Sequence, residues 1–240
     1  MIYSSRNKQQ QVSVRLLKSV KKLNIIFLFS LVLPLLATTG FGLGFLTTGP
    51  TLYDNGSDIT TGIARVQVNQ ASGTAFLITP DKLITCRHVV EQNEGPVELR
   101  FVKHNNDIQL GKVIYQSKNL DFAIIQLSDK LDNSYNVMKL GSANDVKLNQ
   151  EIATIGYPEG IFASSLGTIS NTDVNGNSDL LQMWLGAWHG SSGSPVFDRT
   201  NNNVLGIITS GMDESKMIFA LKIDKIIEDL QNNKINIDNL

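Results

Sequence analysis

Hydrophobic and polar residues alternate with a period of two over most of the chain after residue 60. A strand that buries one face and exposes the other has this pattern. Turn-favouring glycine, asparagine, aspartate and proline separate the alternating stretches. The pattern predicts strands at residues 63–68, 73–78, 83–85, 97–102, 108–115, 122–127, 151–155, 166–170, 180–184, 195–198, 204–209 and 216–220.

Helical spacing of apolar residues is clear at one place near the C-terminus. Ile223, Ile226, Ile227 and Leu230 would share one face of a helix. Many short strands separated by turns are typical of an all-β sandwich or barrel. No repeat of 20–50 residues stands out, which argues against a propeller.

The N-terminal segment differs from the rest of the chain. Residues 23–46 carry no charge, and as a helix they would reach roughly 36 Å, enough to cross a bilayer core. Because basic residues precede this run, it is predicted to be a transmembrane signal anchor with residues 1–22 as a basic cytoplasmic N-terminus. Residues 47–57 would then be a linker, and the body at 58–240 would lie in the periplasm or outside the cell. The alternative is a cleaved secretory signal, although no Ala-x-Ala site follows the apolar run.

Charge and composition exclude several functional classes. Six of the 21 lysine and arginine residues and none of the 22 acidic residues lie before residue 51, which leaves 15 basic against 22 acidic residues in the body. An acidic body gives no electrostatic reason to bind nucleic acid. The single cysteine, Cys86, excludes an intrachain disulfide, and with only three histidines no metal or cofactor is expected.

Three segments carry chemically useful side chains. The sequence TCRHVV at residues 85–90 follows a predicted strand. The sequence DFAIIQL at 121–127 is a strand opened by an acid, and GSSGSP at 190–195 is a small-residue loop that enters another strand. Each segment alone is common in proteins, so their interpretation depends on taking them together.

Together the three segments fit acyl transfer by an activated serine. A serine hydroxyl is a weak nucleophile until an imidazole takes its proton, and the imidazole needs a carboxylate on its other nitrogen. His88, Asp121 and Ser192 can supply these three groups. The developing oxyanion needs converging backbone N–H donors, which Gly190 and Ser192 can supply.

These motifs resemble those of the trypsin-like (chymotrypsin-fold) serine peptidases, in particular short bacterial members of the HtrA and glutamyl-endopeptidase type without a PDZ domain. TCRHV resembles their Thr-x-x-His-Val segment, DFAII their Asp-Leu-Ala-Val-Leu segment, and GSSGSP their Gly-Asn-Ser-Gly-Gly/Ser-Pro loop. Weaker matches, all in the family's order, are SGTAF at 72–76, IGYP at 155–158, GTIS at 167–170 and VLGI at 204–207.

The resemblance covers residues 58–228 and implies two six-stranded antiparallel β-barrels and a serine endopeptidase that acts on proteins or peptides. It assigns His88 as general base, Asp121 as the residue that orients it, and Ser192 as nucleophile. Ser191 departs from the family pattern, which has Asn or Asp there; a serine can still form hydrogen bonds in a tight loop, so activity is expected to be retained.

The resemblance also places the specificity pocket. No acid lies where it would pair with Arg or Lys, and Ile208 stands where glutamyl endopeptidases carry a histidine. We therefore expect cleavage after a small or medium apolar residue. The pocket walls would come from Gly186, Ala187, Trp188, Ile208, Thr209, Ser210 and Gly211.

Two alternatives remain beside this interpretation. His189 could compete with His88 as the base, but it is only three residues from Ser192 and cannot easily face the hydroxyl. The chain could also be a latent or inactive protease-fold module that binds extended peptides. An α/β-hydrolase is excluded because no histidine follows Ser192 and because Ser194 occupies the last glycine position of that fold's serine elbow. The sequence leaves the oligomeric state open.

Overall fold

The structure of the chain is a computed structural model that describes residues 53–54, 57–69, 71–187, 189–212 and 217–237. Within these residues two helices form, α1 (Arg87–Val90) and α2 (Ile223–Asn232), as do two 3-10 turns (Ile59–Gly62 and Pro158–Gly160). The strands are β1 (Tyr53–Asp54), β2 (Ser57–Asp58), β3 (Ile63–Val68), β4 (Ala71–Thr79), β5 (Lys82–Thr85), β6 (Val97–Phe101), β7 (Asp107–Gln116), β8 (Ala123–Leu127), β9 (Glu151–Gly156), β10 (Ala163–Asn171), β11 (Leu180–Leu185), β12 (Pro195–Asp198), β13 (Val204–Met212) and β14 (Met217–Lys222).

Twelve of these strands close into two barrels. The first has the order β3-β4-β5-β8-β7-β6 and the second β10-β11-β14-β13-β12-β9, and every pairing is antiparallel. The register shifts in the pairs β4–β5, β7–β8, β10–β11, β12–β13 and β13–β14. Because a bulge bends a strand and increases its twist, these shifts help a short sheet to close.

The sequence-based expectation of an all-β fold with two six-stranded antiparallel barrels and a C-terminal helix is confirmed. Each predicted strand is present, but the bounds of several differ. The apolar alternation ends at Thr209 and predicts that β13 ends there. The strand continues to Met212 through exposed residues because its backbone still pairs with β14, up to Met212 opposite Met217.

The hydrophobic core of the first barrel continues into the second barrel and under α2. Ile155 and Tyr157, from and beside β9, belong to the same cluster of buried residues as the first barrel. Ile226 and Leu230 of α2 join this cluster, and the Tyr115 hydroxyl of β7 donates a hydrogen bond of 2.5 Å to Asp229 Oδ2 of α2. The C-terminal helix therefore fastens the end of the second barrel to the first.

The predicted N-terminal regions lie largely outside the described residues. The basic segment 1–22, the anchor 23–46 and most of the linker 47–57 remain predictions. Among the residues that are described, no helix is long and apolar enough to cross a membrane. At the end of the predicted linker β1 pairs with β2, and the Asp58 carboxylate accepts a hydrogen bond from the Thr60 N–H, which caps the first 3-10 turn.

Candidate active site

The pairing of β5 with β8 brings His88 and Asp121 together. Thr85 at the end of β5 lies opposite Ala123 at the start of β8, so the chain leaves β5 and enters β8 at the same end of the two paired strands. His88 follows in the one-turn helix α1, and Asp121 comes just before β8. The distance from His88 Nδ1 to Asp121 Oδ2 is 2.7 Å, and the His88 backbone N–H donates to Asp121 Oδ1 at 3.0 Å.

This double contact fixes the ring orientation and the tautomer of the histidine. A carboxylate only accepts, so Nδ1 of His88 carries the proton and Nε2 is left as the acceptor. The hydrogen bond to Asp121 raises the pKa of His88, against the opposing effect of burial. Burial would raise the pKa of Asp121, but the hydrogen bonds from the ring and backbone of His88 outweigh it and the pKa is lowered. The pair thus consists of an ionised Asp121 carboxylate and a His88 imidazole whose basicity is raised.

Two glycines shape the loop that carries Ser192. Gly190 and Gly193 have φ angles of +91° and +86°, in the left-handed region that favours glycine. A Cβ on Gly190 would lie 2.4 Å from the Tyr157 carbonyl oxygen, and one on Gly193 would lie 2.1 Å from the Thr74 carbonyl oxygen. Both positions therefore require glycine for backbone conformation and for close contact.

Hydrogen bonds hold the Ser192 loop between the two barrels. The Thr74 N–H of β4 donates to the Ser192 carbonyl at 2.8 Å. On the other side the Gly193 N–H donates to the Ile208 carbonyl of β13 at 2.8 Å, and the buried Cys86 thiol beside α1 donates to the same carbonyl at 3.1 Å. The segment before His88 and the Ser192 loop are therefore both hydrogen-bonded to the Ile208 carbonyl.

The backbone around Gly190 leaves two N–H groups free. The Glu159 N–H donates to the His189 carbonyl at 2.6 Å, and a trans peptide points the following Gly190 N–H in the opposite direction. The carbonyl of Gly190 accepts from Thr74 Oγ1 at 3.0 Å. Within the described part of the chain, neither the Gly190 N–H nor the Ser192 N–H has an acceptor.

Thr74 is a functional candidate that the sequence analysis did not single out. Its hydroxyl is buried, donates to the Gly190 carbonyl and accepts from the Tyr157 N–H at 3.0 Å. Its carbonyl accepts from the Thr85 hydroxyl at 2.8 Å. The motif SGTAF contains this threonine, but only the fold shows that it supports the Gly190 backbone.

The Ser192 hydroxyl is partly exposed and lines a cavity. Among the described residues it forms no hydrogen bond, to His88 or to any other side chain. Catalytic hydrogen bonds are commonly long or poorly aligned before substrate binds. The serine therefore sits in the pocket wall while its neighbours, rather than its own side chain, fix its place.

The cavity beside Ser192 has a volume of about 430 Å³. Of the predicted wall residues, Thr209 does not line the cavity. The register between β13 and β14 shifts at Thr209, which has no opposite residue in β14, and its hydroxyl donates to the Phe219 carbonyl at 3.4 Å. Trp188 lies outside the described residues. The predicted residues in the lining are Gly186, Ala187, Ile208, Ser210 and Gly211, and the structure adds Leu185, His189, Met212 and Ile218.

Ile218 could not be found from sequence spacing. It comes from β14 and enters the pocket because it lies opposite Gly211 in the register of β13 with β14. A Cβ on Gly211 would lie 2.7 Å from Ile218 Cδ1, so the isoleucine occupies the space that a side chain at 211 would take. Ile218 of β14 therefore narrows the cavity next to the wall that β13 forms.

Cys86, His88 and Asp121 also bring potential metal-ligand atoms within 4.8 Å of one another. Metal binding by cysteine requires the thiolate. Burial, followed by the negative charge of Asp121, raises the pKa of the Cys86 thiol well above its usual value. The protonated thiol is thus used as a hydrogen-bond donor to Ile208, which fits a packing role better than metal ligation.

Comparison with known proteins places these features in context. A family described as trypsin-like peptidase domain matches residues 73–207. A serine protease HtrA-like of Staphylococcus epidermidis is 30% identical over 81% of this chain and 35% of its own length. A glutamyl endopeptidase of the same species is 28% identical over 68% of this chain and 62% of its own, and a human peroxisomal leader peptide-processing protease is 27% identical over 68% and 30%. The chain thus spans between about one third and two thirds of these relatives.

Solved structures share the fold at low identity. The HtrA-type protease AlgW with a tripeptide has a TM-score of 0.64 and 20% identity, covering 72% of this chain and 60% of that one. An inactive form of Rv3671c from M. tuberculosis H37Rv has a TM-score of 0.63 and 19% identity, covering 75% and 91%. At these identities the likeness concerns the double-barrel fold alone.

Proposed function

The chain belongs to the trypsin-like peptidase family, and from this premise we propose that it is a serine endopeptidase whose catalytic triad is His88, Asp121 and Ser192. The observation that carries the proposal is the 2.7 Å contact between His88 Nδ1 and Asp121 Oδ2 beside the loop of Ser192. That contact gives the imidazole the tautomer in which Nε2 can accept the serine proton.

In the proposed mechanism Ser192 Oγ attacks the carbonyl carbon of the scissile bond and His88 Nε2 takes its proton. Asp121 stabilises the imidazolium without accepting the proton itself. The charge that develops on the carbonyl oxygen is met by the N–H groups of Gly190 and Ser192. The imidazolium then protonates the leaving amine as the C–N bond breaks, and a water molecule, deprotonated by the same histidine, hydrolyses the acyl-enzyme.

The orientation of the Gly190 backbone supports an oxyanion hole that is already formed. With the His189 carbonyl held by Glu159 and the Gly190 carbonyl held by Thr74, the free N–H groups need no rotation before they bind a substrate oxygen. Donors that are oriented in advance stabilise charge without the cost of reorganisation. The proposed enzyme is therefore constitutively assembled at this loop.

The cavity supports cleavage after a medium-sized apolar residue. Leu185, Ala187, Ile208 and Met212 give it apolar walls, and Ile218 limits its depth. No aspartate, glutamate, lysine or arginine is among its described lining residues. A lysine or arginine side chain would lose its hydration there without gaining an anionic partner from these residues.

Labelling with a fluorophosphonate probe tests the triad. The wild-type chain should label at Ser192, and the variants Ser192→Ala and His88→Ala should not, while circular dichroism shows all three to be folded. Peptide mapping of the labelled protein identifies the serine. A folded wild type that neither labels nor cleaves peptides would instead indicate a latent or inactive peptide-binding module.

We further propose that residues 23–46 hold the enzyme at a membrane with the peptidase domain outside the cytoplasm. The proposal rests on the charge-free run and the basic residues before it. The full chain should stay in the membrane fraction after alkaline carbonate extraction, and a C-terminal tag should be digested by protease added to spheroplasts. A soluble, shortened product in the medium would show that the segment is a cleaved signal.

A further inference from the structure

A row of three side chains crosses the first barrel toward the Ser192 loop. Arg100 of β6, Arg65 of β3 and Thr74 of β4 are register partners, so they point to the same face of the sheet. The Thr74 hydroxyl on that face donates to the Gly190 carbonyl. Arg65 is therefore one strand removed from the residue that supports the proposed oxyanion hole, and on the same face.

Arg65 packs against the turn that borders the Ser192 loop. Its Nε donates to Ser72 Oγ at 3.3 Å and its Nη2 donates to Gln67 Oε1 at 3.1 Å. A Cβ on Gly160 would lie 2.9 Å from Arg65 Cζ, so the guanidinium rests on the Pro158–Gly160 turn. The same turn borders the Ser192 loop, because the Glu159 N–H donates to the His189 carbonyl next to Gly190.

The charge of Arg65 is not neutralised within the described residues. It forms no ion pair there, whereas its neighbour Arg100 is paired with Glu98 at 3.0 Å. Lys103 adds a second positive charge near the Pro158–Gly160 turn, because its Nζ lies 4.6 Å from the ring centre of Phe162, two residues after Gly160. Glu159, on the turn beneath the guanidinium, carries a negative charge but forms no ion pair with Arg65, so Arg65 keeps N–H donors for an acidic ligand.

The position of Arg65 relates it to the leaving-group side of a substrate. The cavity that would take the acyl side is lined by β13 and β14 on one side of Ser192. On the other side Gly73 approaches the Ser192 carbonyl, because a Cβ on Gly73 would lie 3.1 Å from that oxygen. A chain that leaves the scissile bond on this side passes Gly73 and then Ser72, to which Arg65 is hydrogen-bonded, and at roughly 3.3 Å per residue its second or third residue would reach the guanidinium.

We propose that Arg65 is a specificity-determining residue that binds an acidic side chain at the second or third position after the scissile bond. The inference rests on the proposed endopeptidase function and names its substrate class. A guanidinium recognises a carboxylate through two parallel hydrogen bonds, and the two donors that Arg65 uses within the protein leave others for a ligand.

Fluorogenic peptides that differ at one position test the proposal. Two series share the same apolar residue before the scissile bond and carry either Glu or Gln at each of the first four positions after it. At low salt the wild type should cleave the Glu peptide with a kcat/KM about fivefold higher at the second or third position, through a lower KM. The advantage should shrink at high ionic strength.

Arg65→Gln should remove the preference for Glu, and Arg65→Lys should keep part of it. The matched control is Arg199→Gln, which removes the same charge from an ion pair with Glu151 on the second barrel and should keep the full preference. Equal losses on the Glu and Gln peptides in Arg65→Gln would show that Arg65 only supports the Gly160 turn, and would overturn the inference.

Fluorophosphonate labelling run on the same samples separates two failures. If wild-type Ser192 labels and both peptide series are cleaved equally, the specificity inference is wrong and the proposed function stands. If a folded wild type neither labels nor cleaves, the proposed function fails and the inference falls with it.

Discussion

Replacing Thr74 with valine tests the support of the proposed oxyanion hole. Valine keeps the shape of threonine but removes the hydroxyl that donates to the Gly190 carbonyl and accepts from the Tyr157 N–H, each at 3.0 Å. Thr74 and Tyr157 are fully buried, so water cannot easily replace the bond to the Tyr157 N–H. The substitution touches no member of the proposed triad.

The expected effect on stability follows from the two polar groups left without a partner. The buried Tyr157 N–H loses its hydrogen bond, so the free energy of unfolding should fall by about 1–3 kcal/mol, and the partly exposed Gly190 carbonyl adds less. Loss of one oxyanion donor lowers kcat by about 10²–10³ in a serine protease. Because the Glu159 N–H still holds the His189 carbonyl at 2.6 Å, a smaller loss of about 10-fold to 100-fold is expected.

Two matched variants separate the effect on turnover from the effect on stability. Thr74→Ser keeps the hydroxyl and should retain most of kcat. Thr154→Val removes another buried hydroxyl, which donates to the Pro195 carbonyl at 2.8 Å, and should lower stability without a comparable loss of kcat. Urea denaturation gives the stabilities, and peptide hydrolysis corrected by active-site titration gives kcat. If Thr74→Val turns over as fast as Thr154→Val, the hydroxyl does not position Gly190.

Three further predictions concern the histidine, the C-terminal helix and the pocket. Hydrogen bonding to Asp121 raises the pKa of His88, and only the neutral ring can take a proton, so kcat/KM should rise with pH through that raised pKa. In a pH–rate profile Asp121→Asn should lower the high-pH plateau of kcat/KM by about 10⁴ and move the rise to lower pH. Tyr115→Phe should lower the free energy of unfolding by about 1 kcal/mol in urea. Burial, followed by the bond to Asp229, raises the pKa of Tyr115 to about 12. The difference in the free energy of unfolding between wild type and Tyr115→Phe should therefore be constant below pH 10 and disappear as the pH rises toward 12. Ile218→Gly should deepen the pocket and improve cleavage after Phe relative to Val by about 10-fold in a peptide library, whereas an unchanged ratio would place the depth limit elsewhere.

The barrel strands and the contact between His88 and Asp121 could be predicted because both depend on local sequence. Period-two alternation marks strands whatever their partners, and the segments around His88, Asp121 and Ser192 each carry their own short motif. The same local signal failed at the end of β13, where exposed residues pair with β14 although they do not alternate. Backbone pairing there has no signature in side-chain polarity.

Features that depend on register between distant segments could not be predicted. Ile218 enters the pocket only because it lies opposite Gly211, and Thr74 reaches Gly190 across 116 residues of sequence. From sequence alone Arg65 is an ordinary polar residue of an alternating strand, and its role depends on its neighbours in β4 and β6. For such positions a one-residue change of register would move the side chain to the opposite face of the sheet.

The division of the candidate site between two barrels has a consequence for how its activity can be lost. His88 and Asp121 belong to the first barrel and are aligned by their own contact, while Ser192 belongs to the second. Bonds that cross the junction join them, including Thr74 N–H to the Ser192 carbonyl and the Cys86 thiol to the Ile208 carbonyl. A perturbation of the junction therefore separates nucleophile from base while leaving the histidine–aspartate pair intact. Such a variant would keep the pH dependence of the wild type and lose rate at every pH, whereas a change at Asp121 would alter both.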